Sequence, residues 1–285
     1  VVIYGTRATD TSEGVLAACD LATGNQVWTH VLPASLLEGW YGRELIDSGR
    51  MQPDASDASR CGEILFTDVD ADGADDMIVR WQLIPWYPTL VTWYPGGSWP
   101  SRGDEALHVY RTSGRVNFVR AVNLDSDAKM EVVLAGCNNA PVYEGAMITI
   151  LDDTHWSGAS FDSLSSRDQW GGSVHHEDGS LARVVFPAFS TSVMSALGVR
   201  RLDVPSLVTM PHDRTHAARL VVGIGDERDA MVIVTLDANL NLINFLVPES
   251  ARDRLRLVSP RVAETFNDGY VRRWLKQRRV FRSAR

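Results

Sequence analysis

The stretch Phe66-Thr-Asp68-Val-Asp70-Ala-Asp72-Gly73-Ala-Asp-Asp76-Met-Ile-Val79 sets a carboxylate at every second position and then bends at a glycine. Counted from Asp68, the carboxylates Asp68, Asp70, Asp72 and Asp76 fill positions 1, 3, 5 and 9, and Gly73 fills position 6. Like charges crowded this closely repel one another unless a cation sits among them. Oxygen ligands at alternating positions, a backbone carbonyl at position 7 (here Ala74) and glycine at position 6 are what a calcium loop requires. An EF-hand would also need a bidentate Glu at position 12 and a helix on each side. Position 12 is Val79, and the flanks Glu63-Ile-Leu-Phe66 and Met77-Ile-Val79 are short β-type runs. The chain is thereby constrained to a strand, an acidic loop and a returning strand.

A second copy lies 55 residues on, as Asn123-Leu-Asp125-Ser-Asp127-Ala128-Lys129-Met-Glu131-Val-Val-Leu134. Asn123, Asp125, Asp127 and Glu131 repeat positions 1, 3, 5 and 9, and Lys129 takes the carbonyl position. Asn117-Phe-Val-Arg-Ala-Val122 and Val132-Val-Leu134 again read as strands. Two copies make a repeat, the signature of propellers and other arrays. These residues resemble the FG-GAP/VCBS repeats of integrin-α-type β-propellers, an apolar strand, D-x-D-x-D-G-x-x-D and a second apolar strand. The resemblance implies calcium in the first loop and extends to a second ion in the other. The second copy departs at position 1, with Asn for Asp, and at position 6, where Ala128 is expected to carry the cost of a left-handed turn. Each loop also has the plainer reading of an Asx-rich turn without metal.

Strand signals continue elsewhere. Val15-Leu-Ala-Ala-Cys-Asp20-Leu-Ala-Thr-Gly24-Asn-Gln-Val-Trp28 predicts a hairpin with Gly24 at positive φ. It resembles the PQQ-like blade motif of other propellers, which binds no cofactor. Further hairpins are expected at 107–116, after Met147–Asp152 and at 231–243. Taking Asp20, Arg111, Asp152 and Asp237 as equivalent turns predicts a period of about 43 residues, within the range of a four-stranded blade. The expected fold is an all-β propeller of seven four-stranded blades, with six as the alternative, over residues 1–250. A short helix is expected near Thr191–Leu197 and a long polar loop over 153–181. Residues 251–285 read as a basic, partly helical C-terminal extension, with Asp268 capping a helix over Tyr270–Arg279.

Charge divides the same way. The formal net charge is −8, but residues 252–285 hold 11 Arg/Lys against 3 Asp/Glu, while the first 251 hold 17 against 33. An acidic body suits calcium loops and argues against broad nucleic-acid binding. No apolar run approaches the roughly 18 residues of a membrane span. The chain opens on the strand-like Val1-Val-Ile-Tyr4 without Met or a signal pattern, so it is expected to be a mature or excised portion of something longer. Cys19, Cys61 and Cys137 are too few and scattered for a disulfide framework or a zinc site, and buried free thiols are the expectation.

Other chemistry finds little support. His212 and His216 have zinc-like spacing but lack the Glu of H-E-x-x-H and follow Pro211, so a loop is expected. There is no G-x-S-x-G elbow. Trp81–Pro100 holds four Trp, two Tyr and four Pro, pointing to core aromatics interrupted by loops, or to a partner-facing patch. The expected function is that of a non-catalytic, calcium-stabilised interaction or sensing module, extracytoplasmic and part of a larger membrane-associated protein or complex. Its partner would be another protein or subunit, met through Trp81–Pro100 and the basic tail; the tail also suits a membrane surface, and a clasp on the body is the favoured reading because Val271 and Trp274 need burial. The alternatives are an accessory subunit capping a membrane complex, or a propeller hydrolase or lyase on glycans using His155, His175 or His176.

Overall fold

The computed structural model describes residues 2–6, 15–31, 59–83, 89–96, 108–112, 114–138, 145–152, 158–160, 182–213 and 215–282. The protein is all-β, with seventeen strands in four sheets and four short helices among these residues. It divides into two compact units interleaved in sequence: residues 1–115 with 156–179, and residues 116–155 with 180–285.

The first unit holds two sheets. β1 (Val2–Thr6), β2 (Val15–Cys19) and β3 (Gln26–Val31) form an antiparallel meander. Its tight turn is the predicted one: Gly24 has φ +70°, and the Asp20 carboxylate accepts the Ala22 and Thr23 N–H groups at 2.7 and 3.3 Å. The second sheet runs β4 (Ser59–Thr67), β5 (Asp76–Leu83), β6 (Thr89–Tyr94) and β7 (His108–Thr112), each antiparallel to the last. β11 (Gly158–Ser160) joins β7 in parallel.

Trp81, Leu90, Val91, Trp93 and Tyr94 are buried in this sheet, and the Trp81 indole N–H donates to Thr92 Oγ1 at 3.0 Å. The described aromatics of the Trp81–Pro100 segment are therefore core side chains. Trp86, Tyr87 and Trp99 lie outside the described residues. Pro95 falls just after β6, where the ladder allows it, while Pro85, Pro88 and Pro100 lie outside the described residues.

The second unit repeats the plan. β8 (Arg115–Val122), β9 (Glu131–Asn138), β10 (Gly145–Leu151) and β12 (Ala182–Pro187) lie side by side, and β17 (Arg279–Arg282) adds to β12. β13 (Asp203–Met210), β14 (Arg219–Gly225), β15 (Ala230–Asp237) and β16 (Leu242–Leu246) form a four-stranded antiparallel meander. Every residue of β9 and β10 is buried, as near-continuous apolar strands should be. One apolar cluster joins them to β14, β15 and the helices.

The helices are α1 (Thr191–Leu197), as predicted, then α2 (Glu249–Val258), α3 (Pro260–Thr265) and α4 (Asp268–Leu275). α4 is capped by Asn267, whose side-chain oxygen accepts the Tyr270 N–H, rather than by Asp268. Asp268 instead occupies the first turn, where its charge suits the helix dipole and meets Arg252 at 2.9 Å. The helix stops at Leu275, short of the expected Arg279, because Arg-Val-Phe-Arg at 279–282 alternates and completes the edge of β12.

One expected hairpin is absent: β7 and β8 flank Arg111–Gly114 yet pair in different sheets. β10 does pair antiparallel with the next strand of its sheet, β12, across the interval 153–181 where a long loop is expected, of which only β11 is among the described residues. Of the four turns taken as equivalent, only those at Asp20 and Asp237 join strands that pair and follow one another directly, so the four are not equivalent positions. At the second of these, Leu240 rather than Asn239 takes positive φ, with its side chain fully buried. That burial offsets the cost of a left-handed non-glycine residue.

Cys19 and Cys137 are not joined in a disulfide, and Cys137 is buried. Residues 251–282 belong to the second unit. Val271 and Trp274 are buried, with the Trp274 ring 4.6 Å from Phe189 and its N–H donating to the Pro187 carbonyl at 2.8 Å. We therefore expect Trp274→Ala to cost about 3–5 kcal/mol in urea unfolding of this unit. A loss below about 1 kcal/mol would mean that the tail does not belong to its core.

Candidate metal centre

Both acidic stretches are hairpin loops in the same place. Residues 68–75 join β4 to β5, and residues 123–130 join β8 to β9, in each case linking an edge strand to its inner neighbour. Thr67 and Asp76 pair to close the first hairpin.

Three hydrogen bonds recur position for position. The N–H of position 2 donates to the carboxylate of position 9: Val69 to Asp76 at 2.8 Å and Leu124 to Glu131 at 2.6 Å. The N–H of position 5 donates to position 3: Asp72 to Asp70 at 3.2 Å and Asp127 to Asp125 at 2.8 Å. The N–H of position 7 donates to position 5: Ala74 to Asp72 and Lys129 to Asp127, both at 2.8 Å. Each acidic side chain thus turns back over its own loop.

The loops differ at position 1. Asp68 accepts the Asp72 and Gly73 N–H groups at 3.1 and 3.0 Å. Asn123 turns its amide N–H toward the Asp127 carbonyl, and its Oδ1 is buried without a hydrogen-bond partner. They differ also in backbone. Gly73 takes φ +90° and Ala71 φ +62°, whereas among the described residues no other non-glycine except Leu240 has positive φ. Ala128 is therefore not left-handed, and the cost expected there does not arise. The second loop closes differently, held in part by the His212 N–H donating to the Asn123 carbonyl at 2.9 Å. His212 and His216 lie between β13 and β14 and not on a helix; His216 Nδ1 is 3.3 Å from the Asp213 carboxylate.

Oxygens of Asp68, Asp70 and Asp76 lie within 4.8 Å of one another, as do those of Asp125, Asp127 and Glu131. Oxygens bound to one Ca2+ at 2.3–2.6 Å can be no more than about 5 Å apart, so both groups meet the calcium distance condition. The donor set is all oxygen, which selects hard cations over zinc or copper. The unpartnered Asn123 Oδ1 adds a neutral oxygen to the second loop. Asp72 lies outside the first convergent group. The carbonyls of Ala74 and Lys129 complete the sequence-predicted sets, which otherwise fall on these two hairpins.

Position 9 carries most of the electrostatic burden, for Asp76 is fully buried and Glu131 nearly so. Desolvation pushes the Asp76 carboxyl above its ordinary range, against the Val69 and Gly96 N–H groups and the Trp93 side chain, which favour its ionised form; Asp70 adds repulsion. Burial pushes Glu131 up to about 7, opposed by the Leu124 N–H and reinforced by Asp125 and Asp127. Gly96 is a member of the site that the spacing of carboxylates does not reveal. Its N–H donates to Asp76 at 2.6 Å, and a Cβ there would meet Ala74 Cβ at 2.6 Å, so only glycine allows this approach. The Pro95-Gly-Gly turn signal after β6 marks the place.

His155, His175 and His176 lie outside the described residues. No family model, no curated protein and no solved structure matches this chain.

Folded Glu131 holds its proton to about pH 7, while an unfolded Glu releases it near 4.5. Metal-free stability should therefore fall as pH rises through that window, by on the order of 3 kcal/mol from this group. Urea unfolding in chelator should register this slope, and Glu131→Gln should flatten it. An unchanged slope would contradict the burial of an ionisable Glu131.

Proposed function

We propose that this chain is a non-catalytic β-propeller module whose hairpins are stapled by calcium and whose edges and loops bind another protein or subunit. On this reading the four sheets are four of its blades. The observation that carries it is the coincidence of the two acidic loops: the same hairpin of two successive sheets, the same three hydrogen bonds, and carboxylates gathered at calcium distances. Three of the sheets contain a four-stranded meander in chain order, the arrangement of a propeller blade.

The physical role of the ion is structural. Crowded carboxylates oppose one another, two of them against their own desolvation, and a divalent cation converts that repulsion into attraction. Asp68, Asp70 and Asp76 would hold one ion; Asn123, Asp125, Asp127 and Glu131 would hold the second. A loop of this kind stays filled where calcium is millimolar, which favours an extracytoplasmic setting. Among the described residues no helix is long and apolar enough to cross a membrane, so attachment would come through a partner or another segment.

Binding to the folded state alone stabilises by about 2.7 kcal/mol at a hundredfold excess over Kd. Saturating Ca2+ should accordingly raise the melting temperature of the chain above its value in chelator. Asp70→Asn should lose a large part of that rise while melting in chelator at or slightly above the parent. Identical melting of parent and variant under both conditions would overturn the proposal.

A further inference from the structure

In the second unit a cleft of about 350 Å³ runs between β16 and the C-terminal end of α4. Leu242 and Leu275 contribute its apolar lining, and Ile243, 49% exposed, stands at its side. Three cations surround it: Arg272, Lys276 and Arg278. Arg272 lies over the Phe245 ring at 4.9 Å. Arg278 donates from Nη1 to the Leu275 carbonyl at 2.8 Å, while its Nε is buried with no hydrogen-bond partner. Among the described residues no carboxylate lies within ion-pair distance of these three side chains.

A second cleft of the unit, of about 430 Å³ beside Gly198, also carries arginines but supplies its own acids. There Arg254 meets Asp226 at 2.7 Å and Asp229 at 3.3 Å. Three cations without a carboxylate partner among the described residues, one with an idle buried donor, give this cleft of a chain of net charge −8 a surface complementary to an anionic ligand.

β16 decides the form of that partner. Among the described residues it is the edge strand of its sheet, paired only with β15, and it exposes Ile243 and Leu246. The Phe245 N–H donates to the side-chain oxygen of its neighbour Asn244 at 2.8 Å, a local contact that an incoming main-chain carbonyl can replace. Unprotected edge strands accept an extended peptide as an added strand. A concave cleft with an apolar lining does not suit the flat plane of lipid headgroups, whereas alternating side chains of a strand can fill it.

We infer that the β16–α4 cleft binds an extended peptide segment alternating apolar and carboxylate side chains, its main chain along β16 and its acids on Arg272, Lys276 and Arg278. The inference deepens the interaction-module reading and rests on it. The test uses the full chain in saturating Ca2+ and a labelled Glu-Val repeat peptide, with a Lys-Val peptide and phosphatidylserine vesicles as comparisons.

Glu-Val peptide binding that weakens about tenfold in Lys276→Glu and again in Arg278→Gln, and that falls with added salt, is expected. The Lys-Val peptide should not bind. Glu-Val binding indifferent to these substitutions, or substitution-sensitive binding to vesicles but not to peptide, would overturn the inference. Both positions are at the surface or partly so, and the calcium-induced rise in melting temperature is recorded for each variant. A retained rise without peptide binding removes the cleft alone, while a missing rise in the parent removes the calcium-stapled scaffold instead.

Discussion

The acidic hairpins depend on a single contact, the buried carboxylate at position 9 accepting the N–H of position 2. Asp76 and Glu131 begin the returning strands, and through Val69 and Leu124 each fixes the first turn of its loop. The contact satisfies a backbone donor that the hairpin would otherwise bury, but it draws an ionisable group out of water beside other acids. Both carboxyls are driven above their ordinary range as a result. The loop geometry and the electrostatic strain therefore have one origin, and a cation relieves the strain without disturbing the geometry.

The two loops reach this arrangement from different sequences. In the first, Asp68 gathers two backbone donors and Gly73 supplies the left-handed bend. In the second, Asn123 and Ala128 remove both devices, and the loop gains the His212 contact from the β13–β14 connection. The shared hydrogen bonds involve only positions 2, 3, 5, 7 and 9. Those positions define the motif more closely than the glycine does.

Much of this is legible in the sequence where the physics is local. Alternating carboxylates between apolar runs announce both hairpins, Gly24 announces the turn after β2, and α1 falls where the strand alternation lapses. Pairing between distant segments is less legible. Arg111–Gly114 carries good turn chemistry, yet β7 and β8 part into different sheets, because turn residues specify a reversal and not which strand lies across from which. The tail is similar: Val271 and Trp274 call for burial, but which core takes them is set by strands well before them in sequence. Gly96, reaching Asp76 from beyond β6, was hidden for the same reason.

The central claim is that one divalent cation sits among Asp68, Asp70 and Asp76. The Trp93 indole lies close enough to the Asp76 carboxylate to favour its ionised form, so a lanthanide bound there would be excited through tryptophan. Terbium added to the calcium-free chain should luminesce under tryptophan excitation, with the signal removed by Ca2+ in competition and lost in Trp93→Phe. Terbium emission that is absent, or that persists undiminished in Trp93→Phe and in excess Ca2+, would contradict the account.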